Sequence, residues 1–171
     1  VGYYQKSIDI NPNQKRILAN MALAYHNLKS YAQALSFYEK RIALGIDSAS
    51  AVNYKNAGYC ALNLAGNKSG GDEEIDLFGD GAASDGGDTT AQPAADPTRN
   101  YYKVAVEYLE KYLEFLPNDA GALLRLGNTY LFNLSDCVHG VAAFEKLLVV
   151  EPNNCLARRS LGFAYFGENL C

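Results

Sequence analysis

The chain has 171 residues, 49% of them apolar and 20% charged, with a formal net charge of −4. That apolar content suffices for a buried core and excludes wholesale disorder. The acidic balance excludes a generally basic nucleic-acid binder, and no apolar run approaches the roughly 18 residues of a membrane-spanning helix.

The opening residues hold no charged-then-apolar leader, so any targeting signal is expected outside this sequence. Residues 1–13 carry Tyr4-Gln5-Lys6 and close on Asn11-Pro12-Asn13. Residues 14–47 contain Asn20-Met21-Ala22-Leu23-Ala24-Tyr25 and then Tyr31-Ala32-Gln33-Ala34-Leu35-Ser36-Phe37-Tyr38-Glu39-Lys40. Residues 48–118 repeat that order with Asn56-Ala57-Gly58-Tyr59-Cys60-Ala61, then Tyr102-Lys103-Val104-Ala105-Val106-Glu107-Tyr108-Leu109-Glu110-Lys111, and close at Leu116-Pro117-Asn118. Residues 119–153 do so again with Arg125-Leu126-Gly127-Asn128-Thr129-Tyr130, the stretch Cys137 to Lys146, and Glu151-Pro152-Asn153. Residues 154–171 hold Ser160-Leu161-Gly162-Phe163-Ala164-Tyr165 alone.

The aligned small residues Ala22, Gly58, Gly127 and Gly162 are 36, 69 and 35 apart, so the period is near 35 and the middle gap spans two. Between Tyr31 and Tyr38, and in the equivalent stretches, apolar residues recur every three or four positions, the signature of an amphipathic helix. Pro followed by Asn or Asp ends one helix and caps the next. The unit is therefore helix, turn, helix, Pro turn. Ala22, Gly58, Gly127 and Gly162 in the first helix, with Ala34, Ala105 and Gly140 in the second, let the two approach closely. Tyr25, Tyr130 and Tyr165 are expected to fill the space between neighbours.

One stretch breaks the pattern. Residues 69–98 hold eight acids, no Lys or Arg, and six of the fifteen glycines, leaving 11 acids against 15 bases elsewhere. Such a composition does not bury enough surface to offset ordering entropy, so an insert over 67–99 is expected to be disordered. Within it, Glu73-Glu74-Ile75-Asp76-Leu77-Phe78 sets acids around three apolar side chains, a pattern suited to docking in a groove. A calcium loop through Asp76, Asp80, Asp85 and Asp88 fails on spacing.

In its order of small residue, Tyr, Ala, aromatic and Pro, the sequence resembles the tetratricopeptide repeat (TPR) family over about 140 residues. The resemblance implies an all-α fold, a superhelix of antiparallel helix pairs (an α-solenoid), interrupted here by one long acidic loop. Residues 1–13 would be the second helix of a truncated copy. Copies would follow at 14–47, at 48–118 (split by the insert) and at 119–153, and the first helix of another truncated copy at 154–171. A longer solenoid is expected from ends that cut the repeat. Three departures stand out. Arg158 replaces the Leu18, Tyr54 and Leu123 of the other copies, Ile46 replaces the closing Pro with two extra residues nearby, and Ala61 replaces Tyr, which predicts looser packing there.

The resemblance also implies that first helices line a concave groove that takes extended peptides. These helices carry Lys15, Arg16, Lys55, Arg125, Arg158 and Arg159 with Asp119 as their acid, at an expected N-cap, whereas Glu39, Glu107, Glu110, Glu114 and Glu145 lie on second helices. The expected binding row is Asn20, Lys55, Asn56, Tyr59, Arg125, Asn128 and Arg159. Asn both donates to and accepts from a peptide backbone, and Arg holds a carboxylate bidentately. The row is similar to the carboxylate clamp of chaperone-binding TPR proteins but has Ala19 where Lys and Leu23 where Asn would stand.

Cys60, Cys137, Cys155 and Cys171 lie 77, 18 and 16 residues apart without a paired spacing, so no zinc site is expected. They read as small core residues, favouring a reducing, cytoplasmic setting. Cys137 and His139 diverge on a helix, and His26 reads as a surface or groove residue, so no Cys–His nucleophile is expected. No phosphate-loop, metalloprotease or hydrolase motif occurs. The sequence thus points to a non-enzymatic protein-interaction module without cofactor, metal or nucleic acid, taking an acidic and apolar segment. The alternative is a structural spacer or regulatory arm of a larger protein whose insert, Glu73 to Phe78, occupies the groove.

Overall fold

After the turns at Pro117 and Pro152 the side chains of Asp119 and Asn154 cap the helices that follow, whereas Gln14, after Pro12, makes no side-chain cap bond, and an apolar stripe gives each helix its buried face. The structure, a computed structural model, describes residues 14–66 and 96–166 together with Tyr3, Lys6, Ile10 and Asn11. Among the described residues there is no strand, and the helices follow in order as α1 (Lys15–Asn27), α2 (Tyr31–Ala43), α3 (Val52–Gly66), α4 (Tyr101–Phe115), α5 (Ala120–Asn128), α6 (Cys137–Val150) and α7 (Cys155–Phe166). Tyr3, Lys6 and Ile10 are helical too. The expected Glu73 to Phe78 segment and the insert over 67–95 lie outside the described residues.

The fold is the expected all-α solenoid of antiparallel pairs, α1 with α2, α3 with α4, and α5 with α6, each helix packing on the next in sequence. Asp119 caps α5 by accepting the Ala122 amide at 2.9 Å, and Asn154 caps α7 by accepting that of Ala157 at 3.0 Å. Where the closing Pro is missing, Gly45 takes a left-handed φ of 88°. The chain then makes a short three-residue turn over Ser48–Ser50 before the next copy, held by reciprocal capping between Asp47 and Ser50.

The small residues do what their spacing suggests. A Cβ at Gly127 would stand 2.8 Å from the Phe144 ring, one at Gly140 3.0 Å from Leu131, and one at Gly58 3.0 Å from Leu109. Ala22, Ala34 and Ala105 are fully buried. Contrary to expectation, the copy holding Ala61 is not loose: Ala61 is fully buried, and Leu109 of α4 fits against Gly58 of α3. A small side chain there lets the helices close rather than leaving a void.

Tyr25 stacks on Phe37 and Tyr130 is buried, but Tyr165 is 61% exposed and nothing lies within 4 Å of a Cβ at Gly162. The reason is that no second helix follows α7 among the described residues. A further departure is the widened turn Thr129–Asn133 that ends α5, where the Leu134 amide bonds the Thr129 carbonyl five residues back at 3.0 Å. The last residues of the expected insert are structured. The Thr98 amide donates to Asp96 at 2.8 Å, and Arg99 pairs with Glu39 of α2 at 2.5 Å.

The cysteines do not behave as one class. Cys60 is buried and free, as expected, but Cys155 is exposed and Cys137 is disulfide-bonded. Cys155 opens α7 on the solvent side of the Pro152 turn, which explains its exposure.

Candidate functional site

The helices Lys15–Asn27 and Val52–Gly66 both pack on Tyr31–Ala43, and residues of all three line one cavity. Between α1 and α3 lies a cavity of about 360 Å³. Asn20 of α1 and Asn56 of α3 form opposite walls, Tyr38 and Arg41 of α2 the floor, and Lys15 and Arg16 the rim. Leu23 and Val52, both about half exposed, supply apolar shoulders. Among the described residues no acid lines the cavity.

The floor is ordered by hydrogen bonds. Asn56 Nδ2 donates to Tyr38 Oη at 3.2 Å, which leaves the amide oxygen of Asn56 as an acceptor. Burial, with a smaller contribution from nearby Cys60, pushes the Tyr38 phenol up to about 12, so it stays a neutral hydroxyl. Arg41 donates to the Gly45 carbonyl at 2.8 Å. Asn53 is tied to the Ser50 carbonyl at 2.7 Å, which fixes the approach to α3.

One copy further along, the expected row meets itself. Lys55 Nζ lies 2.8 Å from Asp119 Oδ2, and Tyr112 Oη donates to the same oxygen at 2.7 Å. The Arg125 guanidinium lies over the Tyr59 ring at 4.5 Å, and Lys55 Nζ is 5.8 Å from that ring. Burial opposes charge on Asp119, but the hydrogen bonds from Lys55, Tyr112 and the Ala122 amide outweigh it and hold the carboxyl below its ordinary value. Burial raises Tyr59, against the opposing pull of Lys55 and Arg125.

The structure therefore divides the expected row. It brings Asn20 and Asn56 to one cavity and gathers Lys55, Tyr59 and Arg125 into a network between α3 and α5. Asn128, half-buried on α5, and Arg159, exposed on α7, make no hydrogen bond or ion pair with either group among the described residues. The sequence reading did not single out Arg41 or Tyr38. Arg41 had a readable signal, because it follows Glu39-Lys40 where Tyr112 and Leu147 follow the same pair in other copies.

His26 is not a groove residue. Its Nδ1 lies 3.5 Å from Cys60 Sγ, and its ring meets Tyr31 and Tyr38 edge-on. Burial lowers the His26 pKa and pushes the Cys60 thiol up to about 12. Both shifts favour neutral partners, the opposite of a thiolate–imidazolium nucleophile. Among the described residues no cluster of three His, Cys, Asp or Glu is placed to hold a metal ion, and no helix is long and apolar enough to cross a membrane.

With this geometry in place, comparison with known proteins gives three findings. The tetratricopeptide repeat family model matches residues 3–36, about one period. By sequence, no curated protein matches. Among solved structures, the crystal structure of MamA is similar with a TM-score of 0.66 at 19% identity, over 98% of this chain and 75% of that one. The Arabidopsis OM64 TPR domain is similar with a TM-score of 0.55 at 18% identity, over 88% and 93% of the two chains. The APC/C hetero-tetramer Cut9–Hcn1 gives a TM-score of 0.60 at 15% identity, over 95% of this chain and 26% of that one. At these identities the likeness is one of fold.

Proposed function

We propose that this chain, a tetratricopeptide repeat protein, is a protein-interaction module that binds an extended partner segment along its first helices. The observation that carries the reading is the cavity between α1 and α3, whose lining among the described residues has three cations, Lys15, Arg16 and Arg41, and no acid. Asparagines on facing walls suit a peptide backbone, and Leu23 and Val52 suit apolar side chains beside it. One sign of charge in a trough raises the local concentration of oppositely charged ligands, so the preferred segment is acidic and apolar.

The Lys55–Asp119 pair alters the role of the rest of the row. Lys55 and Arg125 act first as struts between α3 and α5, holding the trough in shape, and Asn128 and Arg159 extend it toward α7. Substituting Lys55 would uncover Asp119, so it is a poor test of binding. The exposed rim gives a cleaner one.

Fluorescence anisotropy would follow labelled 12-residue peptides of alternating acidic and apolar residues, beside versions with each acid replaced by Lys. The reading expects the acidic peptides to bind, to weaken with added salt, and to be lost on Lys15→Glu with Arg16→Glu. Equal binding of both peptide sets, or no effect of the rim reversal, would contradict it. Peptide binding that is absent throughout would favour the spacer reading, in which the repeats only hold flanking parts of a protein apart.

A further inference from the structure

The second helices align as Glu39-Lys40-Arg41, Glu110-Lys111-Tyr112 and Glu145-Lys146-Leu147. The last position belongs to the core: Tyr112 is 5% exposed and Leu147 fully buried. In the first copy that place holds Arg41, a residue only 7% exposed. Burying a cation is unfavourable unless an anion or a full set of acceptors meets it. The Gly45 carbonyl serves one of its five N–H groups. No carboxylate among the described residues lies within ion-pair distance of it. Asp47 is on the same turn, but its carboxylate is engaged by the Ser50 amide at 2.9 Å and the Ser50 hydroxyl at 2.5 Å. Arg41 is the least of the influences on that acid.

The equivalent place one copy along shows what is absent. There Tyr112, Asp119 and Lys55 close on one another through the two contacts to Asp119 Oδ2. Asp119 stands eight residues before Gly127, as Ser50 does before Gly58, and Lys55 three before Gly58, as Ala19 does before Ala22. The corresponding trio is therefore Arg41, Ser50 and Ala19, and all three line the cavity. The acid has become a neutral hydroxyl and the ammonium arm a methyl group. Space has opened where they met, and a buried cation faces it.

We propose that this cavity is an anion subsite, in which Arg41 holds a side-chain carboxylate of the bound segment in the place that Asp119 fills between the next two copies. The planar fork of a guanidinium matches a carboxylate through two parallel hydrogen bonds. Lys15 and Arg16 draw the acid in at the rim, and the apolar shoulders receive its neighbours. This assignment rests on the groove reading above and names the chemistry of the residue that anchors there.

The test uses the full chain. The Nε–Hε resonance of Arg41, assigned by its loss in Arg41→Gln, is followed by NMR as sodium acetate replaces sodium chloride at constant ionic strength, with inorganic phosphate as a second arm. A saturating shift with acetate at Arg41 but not at exposed Arg158 is expected. Ala19→Glu, which supplies a carboxylate from α1, should abolish the acetate response. A linear drift shared by Arg41 and Arg158 overturns the subsite, as does saturation by phosphate without acetate. In the peptide assay, Arg41→Gln should weaken the acidic peptides by about tenfold or more, the loss of charge-assisted hydrogen bonds. Undiminished binding would overturn the subsite and leave the groove reading standing. Acetate saturation at Arg41 with no peptide bound would refute the groove reading alone.

Discussion

Gly127 and Gly162 occupy the same place in the repeat but face opposite surroundings, so the same substitution should act with opposite sign. At Gly127 a Cβ would meet three ring carbons of Phe144 at 2.8, 2.9 and 3.0 Å, and Phe144 is fully buried with no room to retreat. Three contacts at or below 3.0 Å place the cost in the upper part of the usual overpacking range, about 2–3 kcal/mol, and replacing a helical Gly by Ala returns about 1 kcal/mol. Gly127→Ala should therefore destabilise by about 1–2 kcal/mol. At Gly162 nothing lies within 4 Å, so only the propensity gain of about 1 kcal/mol remains and Gly162→Ala should stabilise. Urea unfolding followed by far-ultraviolet circular dichroism reads both. With a slope near ~2 kcal/mol/M for a domain of this size, the midpoint should fall by ~0.5–1 M for the first and rise by ~0.5 M for the second. Midpoints that move together, or a Gly127→Ala variant more stable than the parent, would refute the packing argument.

Other outcomes follow from the polar groups. Asp119 is held below its ordinary pKa in the folded state, so its contribution is present above about 4 and is lost as pH falls through the folded value. Asp119→Asn keeps the cap, loses the Lys55 pair at a cost of about 1 kcal/mol near neutral pH, and should show a flatter acid limb in pH-dependent unfolding. His26 is also lowered, from 6.5, so the folded chain binds fewer protons than the unfolded one, and stability should fall as pH drops below 6.5. His26→Gln should lessen that slope in thermal melts between pH 7 and pH 5. Cys60, with its thiol near 12, is at pH 8 only about one part in 10⁴ thiolate, so iodoacetamide followed by peptide mass mapping should modify exposed Cys155 and spare Cys60 until the chain unfolds.

The period of the sequence was enough for the helix pairs, because Gly58, Gly127 and Gly140 each mark a place where a neighbouring side chain enters the helix surface. Such a contact leaves a mark at one residue, and the mark repeats. The site was less legible because it depends on pairs across copies. Lys55 and Asp119 are 64 residues apart, and nothing in either residue alone says that they meet. Arg41 was hidden in another way. Its neighbours look like an ordinary amphipathic surface, and only alignment with Tyr112 and Leu147 shows a cation at a core position. His26 and Cys60 likewise lie 34 residues apart and meet only because α1 and α3 flank α2. The widened turn after Asn128 carries no signal in Thr129–Asn133, a stretch that reads as ordinary helix.

The most direct test of the groove reading is to map where an acidic and apolar peptide touches the ¹⁵N-labelled chain. The side-chain amide resonances of Asn20 and Asn56, on facing walls of the cavity, should shift together and saturate with the anisotropy isotherm, while those of Asn63 and Asn153 stay still. Saturating shifts confined to α4 and α6, with Asn20 and Asn56 unmoved, would contradict the account.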